Sequence, residues 1–507
     1  MRVVDKMKAV TCRIVMFATS LTAMVDCESY LERRERLLTQ ERRNFTGGDL
    51  VLSQKETLVN VALLRMKNDE LEAAYTNSAA FLPSQNFLLA RQSIERSKVF
   101  DFIKRVPKAC VLHIHLLGAV SVDYVIEHLT YQEDVYGGYV NGVFKLKVLE
   151  TPGGGWKPLK EYREENSSFD VFLKEKLTLT SSSMTESKED VWVAFKNTFT
   201  TLFDLVAHRP TFKKYVYRVL EELYLDNVFY AELRGAFMNL YETNGTVYDV
   251  RVFIDTFVEV VDEFKADHNG FVGVKFIFNL YRGVDGSTMK AALDQLSYFK
   301  RLYPDFIAGF DLVGSEDDGK NLVDFHEELH GATGDVKFFF HAGETNWYGR
   351  ADLNLADAVL LNTSRIGHGY ALAKHPLLLE LARSRDIAVE LCPISNQVLK
   401  LHYDPRNHPA TVLLATGYPV VIGNDDPSVW QSTGLSYDWY VVLMAMTWED
   451  HGLEVLKKLA MNSIKYSAMS EKEKIAALDQ FLTAWDRFVD EFLRSQEVDQ
   501  RKRVYVV

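Results

Sequence analysis

The sequence predicts an α/β protein folded as a (β/α)8 barrel of the TIM type, with a helical extension at its N-terminus and a small inserted subdomain. Short apolar runs of strand length recur from Cys110 onward, and helix-length segments with an apolar repeat separate most of them. Eight such units over roughly 310 residues favour a closed barrel over an open doubly wound sheet. No Gly-x-Gly-x-x-Gly motif follows the first strand, which argues against a dinucleotide-binding sheet.

The composition is that of an ordinary globular protein. Of 507 residues, 47% are hydrophobic and 25% charged, so a sizeable core can form. A formal charge of -12 without a basic stripe argues against nucleic acid as a partner. The four cysteines are too few for a disulfide-built fold, and no Cys-x-x-Cys pair offers a cysteine zinc site. Cys110 and Cys392 lie in apolar runs and are expected to be buried, although a pairing that involves Cys27 stays open.

The first 27 residues are expected to be a signal peptide. Basic residues precede an apolar run from Ile14 to Val25, which is too short to span a bilayer comfortably. The alternative is a buried first helix. We therefore expect a secreted, extracellular protein without a membrane span. The sequons that become glycosylation candidates begin at Asn44, Asn166, Asn244 and Asn362.

Three further regions follow along the chain. Residues 28–100 have a helical period and form either a solvated layer over a core or an arm that packs on a second subunit, which makes a homodimer the expected assembly. Residues 101–507 hold the barrel, which two helices close after residue 452. An insert at 131–188, rich in glycine and aromatic residues and mostly strand-like or irregular in period, is expected to be a small subdomain after the first strand.

The predicted barrel elements follow from this alternation. The strands are Cys110 to Leu116, Val228 to Leu233, Phe271 to Phe278, Phe306 to Leu312, Val336 to His341, Ser364 to Gly367, Ile387 to Cys392 and Tyr418 to Ile422. The clearest helices are Val250 to Phe264, Thr288 to Leu302, Leu353 to Leu361 and Pro376 to Ser384.

Histidines stand at the ends of two of these strands. His113 and His115 lie two apart on the first strand, so both rings point to one side. His341 ends the fifth strand, and Glu344 follows in a loop of small residues, in the position of a general acid or base beside a metal ligand. Three imidazoles that converge at strand carboxyl ends suit zinc. The alternatives are core histidines with hydrogen-bond partners and a loop with a buried polar pair.

Two more polar positions end the sixth and eighth strands. His368 lies between glycines, where the ring is free to face a pocket. Asp425 and Asp426 are adjacent carboxylates; one can coordinate a metal while the other holds substrate. A turn or helix cap is the alternative for this Asp-Asp-Pro stretch.

The motifs His-x-His, His-Ala-Gly-Glu-Thr, Arg-Ile-Gly-His-Gly, Glu-Leu-Cys-Pro-Ile-Ser-Asn and Asp-Asp-Pro, in that order, closely resemble the metal-dependent adenosine deaminases. The strings Phe310 to Gly314, Cys392 to Leu401 and Leu459 to Ser467 resemble the secreted branch of that family, the adenosine deaminase-related growth factors or type 2 adenosine deaminases. The resemblance covers nearly all of the chain after the signal region.

The resemblance implies roles for these residues. The implied ligands of one zinc ion per subunit are His113, His115, His341 and Asp425. The other implied roles are protonation of the purine N1 by Glu344, activation and orientation of the attacking water by His368, contact of Asp426 with the attacking hydroxide or N7, and a backbone N–H of Gly314 to the purine. Trp192, in a Val-Trp-x-x-Phe string similar to that of the family, lines the pocket or belongs to the core.

The chain also departs from the family pattern. Leu116 and Leu117 replace an acid or amide that relatives carry after His-x-His, which puts recognition of the ribose in doubt. The segment Asn279 to Arg282 lacks a histidine found in a close relative. The insert resembles the receptor-binding subdomain of the family, but no cysteine lies between Cys110 and Cys392 to form its disulfide.

These observations lead to competing functional hypotheses. The first is a secreted zinc hydrolase that converts adenosine, and by extension 2′-deoxyadenosine, to inosine and ammonia, with a cell-surface receptor or glycan as a further partner and growth-factor-like activity. The second is an extracellular signalling or purine-binding protein with weak or no turnover. A two-metal amidohydrolase is disfavoured because the fourth strand offers no lysine for carboxylation, and a cysteine-ligated nucleobase deaminase because Pro-Cys-x-x-Cys is absent.

Overall fold

A computed structural model describes residues 29–504 of the chain. The expected signal peptide, Cys12 and Cys27 lie outside the described residues. Eleven strands form within the described range, and eight of them run parallel in two sheets with the orders β1-β5-β6-β7 and β11-β10-β9-β8. These eight are β1 (Ala109–His115), β5 (Val228–Gly235), β6 (Gly273–Tyr281), β7 (Ile307–Val313), β8 (His341–Ala342), β9 (Arg365–His368), β10 (Ala388–Leu391) and β11 (Val420–Ile422).

Two bridges join the sheets into a closed barrel. Phe310 of β7 pairs with Phe338 ahead of β8, and the N–H of Phe339 donates to the carbonyl of Phe310 at 2.9 Å. On the opposite side, Ile114 of β1 pairs with Asp425 after β11, and the N–H of His115 donates to the carbonyl of Asp425 at 2.8 Å. The predicted (β/α)8 barrel is therefore confirmed. Its closure places the chain after β11 directly beside the end of β1.

The fifth barrel strand is shorter than predicted. Only His341–Ala342 is a regular strand, whereas a strand was expected from residue 336. Residues 338–340 nevertheless pair on both sides. On the β7 side the N–H of Phe339 donates to Phe310 at 2.9 Å, and on the β9 side the N–H groups of Ser364 and Gly367 donate to Phe338 and Phe340, each at 2.8 Å. The segment thus belongs to the barrel wall, and His341 still stands at its carboxyl end.

Helices surround the barrel, and their apolar faces pack against its strands. The helices around and after the barrel are Lys188–Val206, Arg209–Leu225, Val250–Asp267, Gly286–Leu302, His326–Ala332, Asn354–Leu360, Pro376–Ser384, Pro393–Val398, Ala410–Ala415, Ser436–Ala445, Leu453–Lys465 and Glu471–Val504. Local sequence sets their starts: the Asp249 carboxylate, for example, accepts the N–H groups of Arg251 and Val252. Cys110 and Cys392 are buried free thiols, as predicted. No helix among residues 29–504 has both the length and the apolarity needed to cross a membrane.

The described part of the N-terminal extension contains four α-helices, Tyr30–Asn44, Gln54–Thr76, Phe87–Ile94 and Lys98–Arg105. The first two begin with capping boxes, in which a serine and the glutamate three residues later cap each other's backbone N–H. The second helix is anchored to the closing helices, since Glu56 accepts hydrogen bonds from Lys457 at 2.6 Å and from Trp485 at 2.8 Å. The first helix has no buried residue.

The insert after β1 is a small subdomain with a sheet of its own. Antiparallel strands β2 (Val135–Val140), β3 (Val143–Val148) and β4 (Trp156–Pro158) pair in the order β3-β2-β4. Helices Leu159–Glu165 and Phe169–Leu177 follow, where a mostly strand-like or irregular segment was expected. An aromatic cluster holds the two parts together. Its members are Phe144, Tyr162, Phe169 and Phe172.

Candidate metal centre and active site

Three histidines and one aspartate meet at the carboxyl ends of the barrel strands. His113 and His115 are on β1, His341 begins β8, and Asp425 follows β11. One ligand atom from each of the four lies within 4.8 Å of the others. This is the set of residues that the sequence singled out, and barrel closure is what brings its two ends together.

The spacing within this set suits a metal ion. Oδ1 of Asp425 lies 3.2 Å from Nε2 of His113 and 3.1 Å from Nε2 of His115. Ligands about 2.0–2.1 Å from one tetrahedral ion stand about 3.3 Å apart. Three imidazoles and a carboxylate are also a donor set that zinc accepts. The residues present therefore fit a single metal ion.

Hydrogen bonds orient each imidazole. Nδ1 of His113 lies 2.7 Å from the Glu390 carboxylate, and Nδ1 of His341 lies 2.7 Å from Oδ2 of Asp311. The side-chain amide of Asn279 lies 3.3 Å from Nδ1 of His115. The carboxylates accept from Nδ1 of His113 and of His341, so Nε2 of these two rings is left to bind a metal.

Arg234 on β5 connects the two carboxylates. Its guanidinium donates to Asp311 at 2.9 Å and to Glu390, and it also lies 3.5 Å from Nε2 of His113 and from Nδ1 of His341. Arg365 donates to the other oxygen of Glu390 at 2.6 Å. All these charged groups are buried, so each offsets the desolvation of its neighbour.

The electrostatics of this network keep the ring of His341 neutral and the carboxylates of Glu390 and Asp311 charged. Burial alone raises the pKa of Glu390, but Arg234 and Arg365 outweigh it and hold that pKa well below its usual value. Burial lowers the pKa of His341 to about 4, although Asp311 opposes that shift. A neutral imidazole is the form that binds metals, so this histidine is ready to bind near neutral pH.

The loop after β11 holds its two aspartates in a constrained geometry. Asp425 has a left-handed backbone with φ of 56°, an unfavourable conformation for a residue with a side chain, and Ser395 donates to its Oδ2 at 2.7 Å. Asp426 packs against Gly118, where a Cβ would come within 2.1 Å of Oδ1 of Asp426. Burial, and then the charge of Asp425, raise the pKa of Asp426 well above its usual value.

Glu344 follows β8 and is buried. Its Oε1 has no hydrogen-bond partner within the described part of the chain, while its backbone N–H donates to Glu316 at 2.8 Å. Burial, and then the charges of Asp425 and Glu316, raise its pKa well above the ordinary value. The side chain is therefore a neutral acid that can donate a proton.

His368 ends β9 in a left-handed backbone conformation with φ of 59°. Its Nδ1 lies 3.1 Å from Nδ2 of Asn396 and 3.5 Å from Oε1 of Glu344. Its Nε2 is buried without a partner among the described residues. Burial holds the pKa of the ring well below its usual value, so this imidazole is also neutral.

A cavity of about 590 Å³ opens over these groups. The predicted site residues that line it are His115, Trp192, Gly314, His341, Glu344, Asp425 and Asp426. The remaining two, His113 and His368, lie behind it, with ring centroids 4.7 and 4.9 Å from that of His341. Trp192 thus borders the cavity, and Leu117 lines it as well, whereas Leu116 is fully buried.

Sequence reasoning missed the residues that support the site. Arg234, Asp311 and Glu390 are charged positions inside otherwise apolar strands. A charged residue in a strand that is buried on both faces needs a partner of opposite charge. That rule could have identified these residues from the sequence. Glu390, Ser395 and Asn396 belong to the Glu-Leu-Cys-Pro-Ile-Ser-Asn motif, but the family resemblance implied no role for them.

Comparison with known proteins identifies relatives over nearly the whole chain. Family models described as "Adenosine deaminase" and "Adenosine/AMP deaminase N-terminal" match residues 170–484 and 10–103. Adenosine deaminase 2 of Sus scrofa is 40% identical over 95% of this chain and 98% of its own length. Adenosine deaminase of Aedes albopictus is 39% identical over 90% and 88%, and adenosine deaminase 2 of Homo sapiens is 37% identical over 94% and 96%.

Solved structures share the fold at lower identity. Arabidopsis ADAL, complexed with GMP, aligns with a TM-score of 0.57 at 19% identity, over 76% of this chain and 98% of its own. Adenine deaminase of Arthrobacter aurescens aligns with a TM-score of 0.53 at 19% identity, over 75% and 100%. The sequence matches and the site lead to the same conclusion. This chain is an enzyme of the adenosine deaminase family.

Proposed function

We propose that this protein is a secreted, zinc-dependent enzyme that hydrolyses adenosine to inosine and ammonia. The observation that carries the proposal is the juxtaposition, in one cavity, of four potential metal ligands and the neutral acid Glu344. Relatives named adenosine deaminase along nearly the whole chain support it. By the same reasoning 2′-deoxyadenosine is a second substrate.

Each site residue has a part in this proposal. A zinc ion held by His113, His115, His341 and Asp425 would lower the pKa of a water to about 7 and so supply hydroxide at neutral pH. Glu344 donates its proton to N1 of the purine, which makes C6 more electrophilic. Asp426 contacts the incoming oxygen or N7.

The remaining site residues bind and orient. The neutral His368 orients the attacking water. The N–H of Gly314, whose φ of 105° only glycine adopts without strain, is placed for the purine. Trp192 packs against the ligand from the outer wall of the cavity.

Turnover by the purified protein tests this proposal. Adenosine should be consumed with equal yields of inosine and ammonia, zinc should be present at one ion per chain, and a chelator should abolish the rate until zinc is restored. Protein that carries zinc at full occupancy and leaves both adenosine and 2′-deoxyadenosine unchanged would contradict it.

A purine-binding or signalling protein with weak turnover is the second candidate. It is favoured by Leu117, which gives the cavity an apolar wall where relatives were expected to carry an acid or amide for the ribose. The Glu344→Gln variant separates the two functions. A biological effect that survives this substitution in full does not depend on catalysis.

Secretion is supported by the sequons. The asparagine side chains of all four are exposed on the folded chain, at Asn44, Asn166, Asn244 and Asn362. Expression in animal cells should place the protein in the medium with a mass that N-glycosidase reduces. Retention in the cytosol without glycan would contradict this part of the proposal.

A homodimer through the N-terminal helices is part of the same proposal. Helix Tyr30–Asn44 has no buried residue, and Leu31 and Leu37 are 71% and 58% exposed. The double substitution Leu31→Glu and Leu37→Glu should convert dimer to monomer in light scattering. Leu377→Glu, at a 77% exposed leucine on a barrel helix, is the control. A wild-type monomer at micromolar concentration would overturn the proposal.

The insert is the proposed contact for a cell-surface receptor or glycan, and growth-factor-like activity would depend on it. It exposes Tyr131, Tyr139 and Val171. Binding of the Glu344→Gln protein to cells should fall when Tyr139 and Val171 are replaced by serine, with its zinc content unchanged. Equal binding by both proteins would exclude this surface.

A further inference from the structure

A chain of hydrogen bonds runs behind His368, away from the cavity. Nδ1 of His368 lies 3.1 Å from Nδ2 of Asn396, and Oδ1 of that amide lies 3.0 Å from Nε2 of His408. Nδ1 of His408 in turn lies 3.0 Å from the backbone N of Ala410. Asn396 and His408 are fully buried, and neither borders the cavity.

The direction of these hydrogen bonds is fixed at the end farthest from His368, where His408 meets Ala410. A backbone N–H can only donate, so Nδ1 of His408 accepts from Ala410 and carries no proton. The proton of the His408 ring is then on Nε2, which donates to Oδ1 of Asn396. A doubly protonated His408 is excluded because its Nδ1–H would face the N–H of Ala410.

The same reasoning determines which group of the Asn396 amide faces His368. An asparagine amide can present either its oxygen or its nitrogen to a neighbour, but His408 takes the oxygen. The NH₂ group of Asn396 therefore faces His368 and donates to its Nδ1. Glu344 is the other group near this nitrogen, but its Oε1, at 3.5 Å, forms no hydrogen bond with the described residues. A proton on Nδ1 would face the NH₂ group of Asn396, so the ring carries a single proton, on Nε2.

Packing keeps the chain of hydrogen bonds in place. The ring of His408 meets the rings of Tyr370 and His402 edge to face, with centroids 4.9 and 4.8 Å away. Tyr370 is itself anchored, since its hydroxyl donates to the carbonyl of Leu401 at 2.8 Å. His408 is thus held by two neighbouring rings and by hydrogen bonds at both nitrogens.

We propose that Asn396 and His408 are positioning residues that hold the neutral His368 in its Nε2–H tautomer, so that it acts on the attacking water as a hydrogen-bond donor and not as a proton acceptor. The role of His368 rests on the proposed function. A donor there turns a lone pair of the incoming oxygen toward C6. It also stabilises the charge that develops on that oxygen.

The tautomer can be observed directly. The zinc-loaded protein is labelled with ¹⁵N-histidine, the His368→Gln variant identifies the His368 signals, and the ¹⁵N shifts report which ring nitrogen carries the proton. We expect Nε2 protonated and Nδ1 unprotonated in the wild type. A proton on Nδ1 would overturn the proposal. This readout does not require turnover, so it decides the proposal even if adenosine is not the substrate.

Substitutions then test the cause. Asn396→Asp replaces the donor to His368 by an acceptor, which should move the proton to Nδ1 and lower kcat about 100-fold, with KM and zinc content nearly unchanged. Asn407→Asp, at an exposed asparagine nearby, should leave both readouts as in the wild type. An Asn396→Asp protein with the wild-type tautomer and rate would contradict the proposal.

Two substitutions of His408, one conservative and one not, test its part in the proposal. His408→Gln retains an N–H donor toward Asn396 and should keep kcat within a few-fold of the wild type. His408→Leu removes the donor, so the amide can rotate and kcat should fall by about tenfold or more. Equal rates for the two variants, at equal zinc content and melting temperature, would remove His408 from the proposal.

Discussion

Nδ1 of His341 lies 2.7 Å from Oδ2 of Asp311. The other oxygen of the same carboxylate accepts the backbone N–H of His341 at 2.8 Å, so one aspartate fixes both the ring and the strand that carries it. Asp311 belongs to β7 and His341 to β8, at the seam where the two sheets meet. Barrel closure and ligand orientation are thus coupled through this residue.

The first prediction concerns metal affinity. Asp311→Asn should weaken metal binding about 10–100-fold, because groups that hydrogen-bond to a ligating histidine contribute about that much. Competition with a chromogenic chelator measures it. The control is Asp294→Asn, at a carboxylate that is 68% exposed on a barrel helix. Equal affinity in the wild type and Asp311→Asn would show that the orientation of His341 does not depend on this carboxylate.

The site residues near the strand ends could be predicted from sequence, whereas the pairing of the buried charged residues behind them could not. His113 and Asp425 are far apart in the chain, but His113 lies in a recognisable apolar run and Asp425 follows another, and parallel strands end at one rim. Arg234 directly follows such a run and Glu390 lies within one, and nothing local says which partner each one meets. Their pairing depends on barrel closure, which is a property of the whole chain.

The shortening of β8 has a similar origin. The run from residue 336 is apolar enough for a strand, yet its backbone divides its hydrogen bonds between Phe310 on one side and residues 364–367 on the other. Apolarity predicts burial and does not determine the register of pairing. For the same reason Leu116 and Leu117 could not be told apart, although only Leu117 borders the cavity.

The second prediction is a pH dependence set by Glu344. Its acid form is the active one, so kcat/KM should be constant at lower pH and fall as pH rises through its pKa. Burial, then Asp425 and Glu316, raise that pKa above 4.5, which moves the fall toward neutral or alkaline pH. Glu344→Gln should lower kcat about 10²–10⁴-fold and remove this alkaline limb from the residual rate. The exposed Glu327→Gln is the control, and an unchanged limb in Glu344→Gln would assign the titration to another group.

The third prediction concerns Trp192. Its Nε1 is buried without a partner within the described range, and the residue lines the cavity. If the indole N–H meets the ligand, Trp192→Phe should raise KM about 5–10-fold with kcat little changed, because one hydrogen bond contributes about 1 kcal/mol. Steady-state rates with adenosine measure this. Trp347→Phe, at a 61% exposed tryptophan, is the control, and an unchanged KM in Trp192→Phe would limit that residue to packing.

The fourth prediction tests how the N-terminal extension is held to the barrel. Burial raises the pKa of Glu56, but hydrogen bonds from Lys457, Ser53 and Trp485 outweigh it and lower the pKa from 4.5 to about 2. A lowered folded-state pKa contributes stability above pH 4.5, and that stability is lost as pH falls through 2. Glu56→Gln should therefore lower the free energy of unfolding by about 1–3 kcal/mol at pH 7.

The same difference should shrink as the pH falls toward 2, because the protonated glutamate then resembles glutamine. Urea unfolding at several pH values measures it, with Glu72→Gln on the exposed side of the same helix as the control. A difference that stays constant from pH 7 to pH 3 would mean that Glu56 acts through packing. A difference that fades shows that its charge, shared with Lys457 and Trp485, ties the extension to the helices that close the barrel.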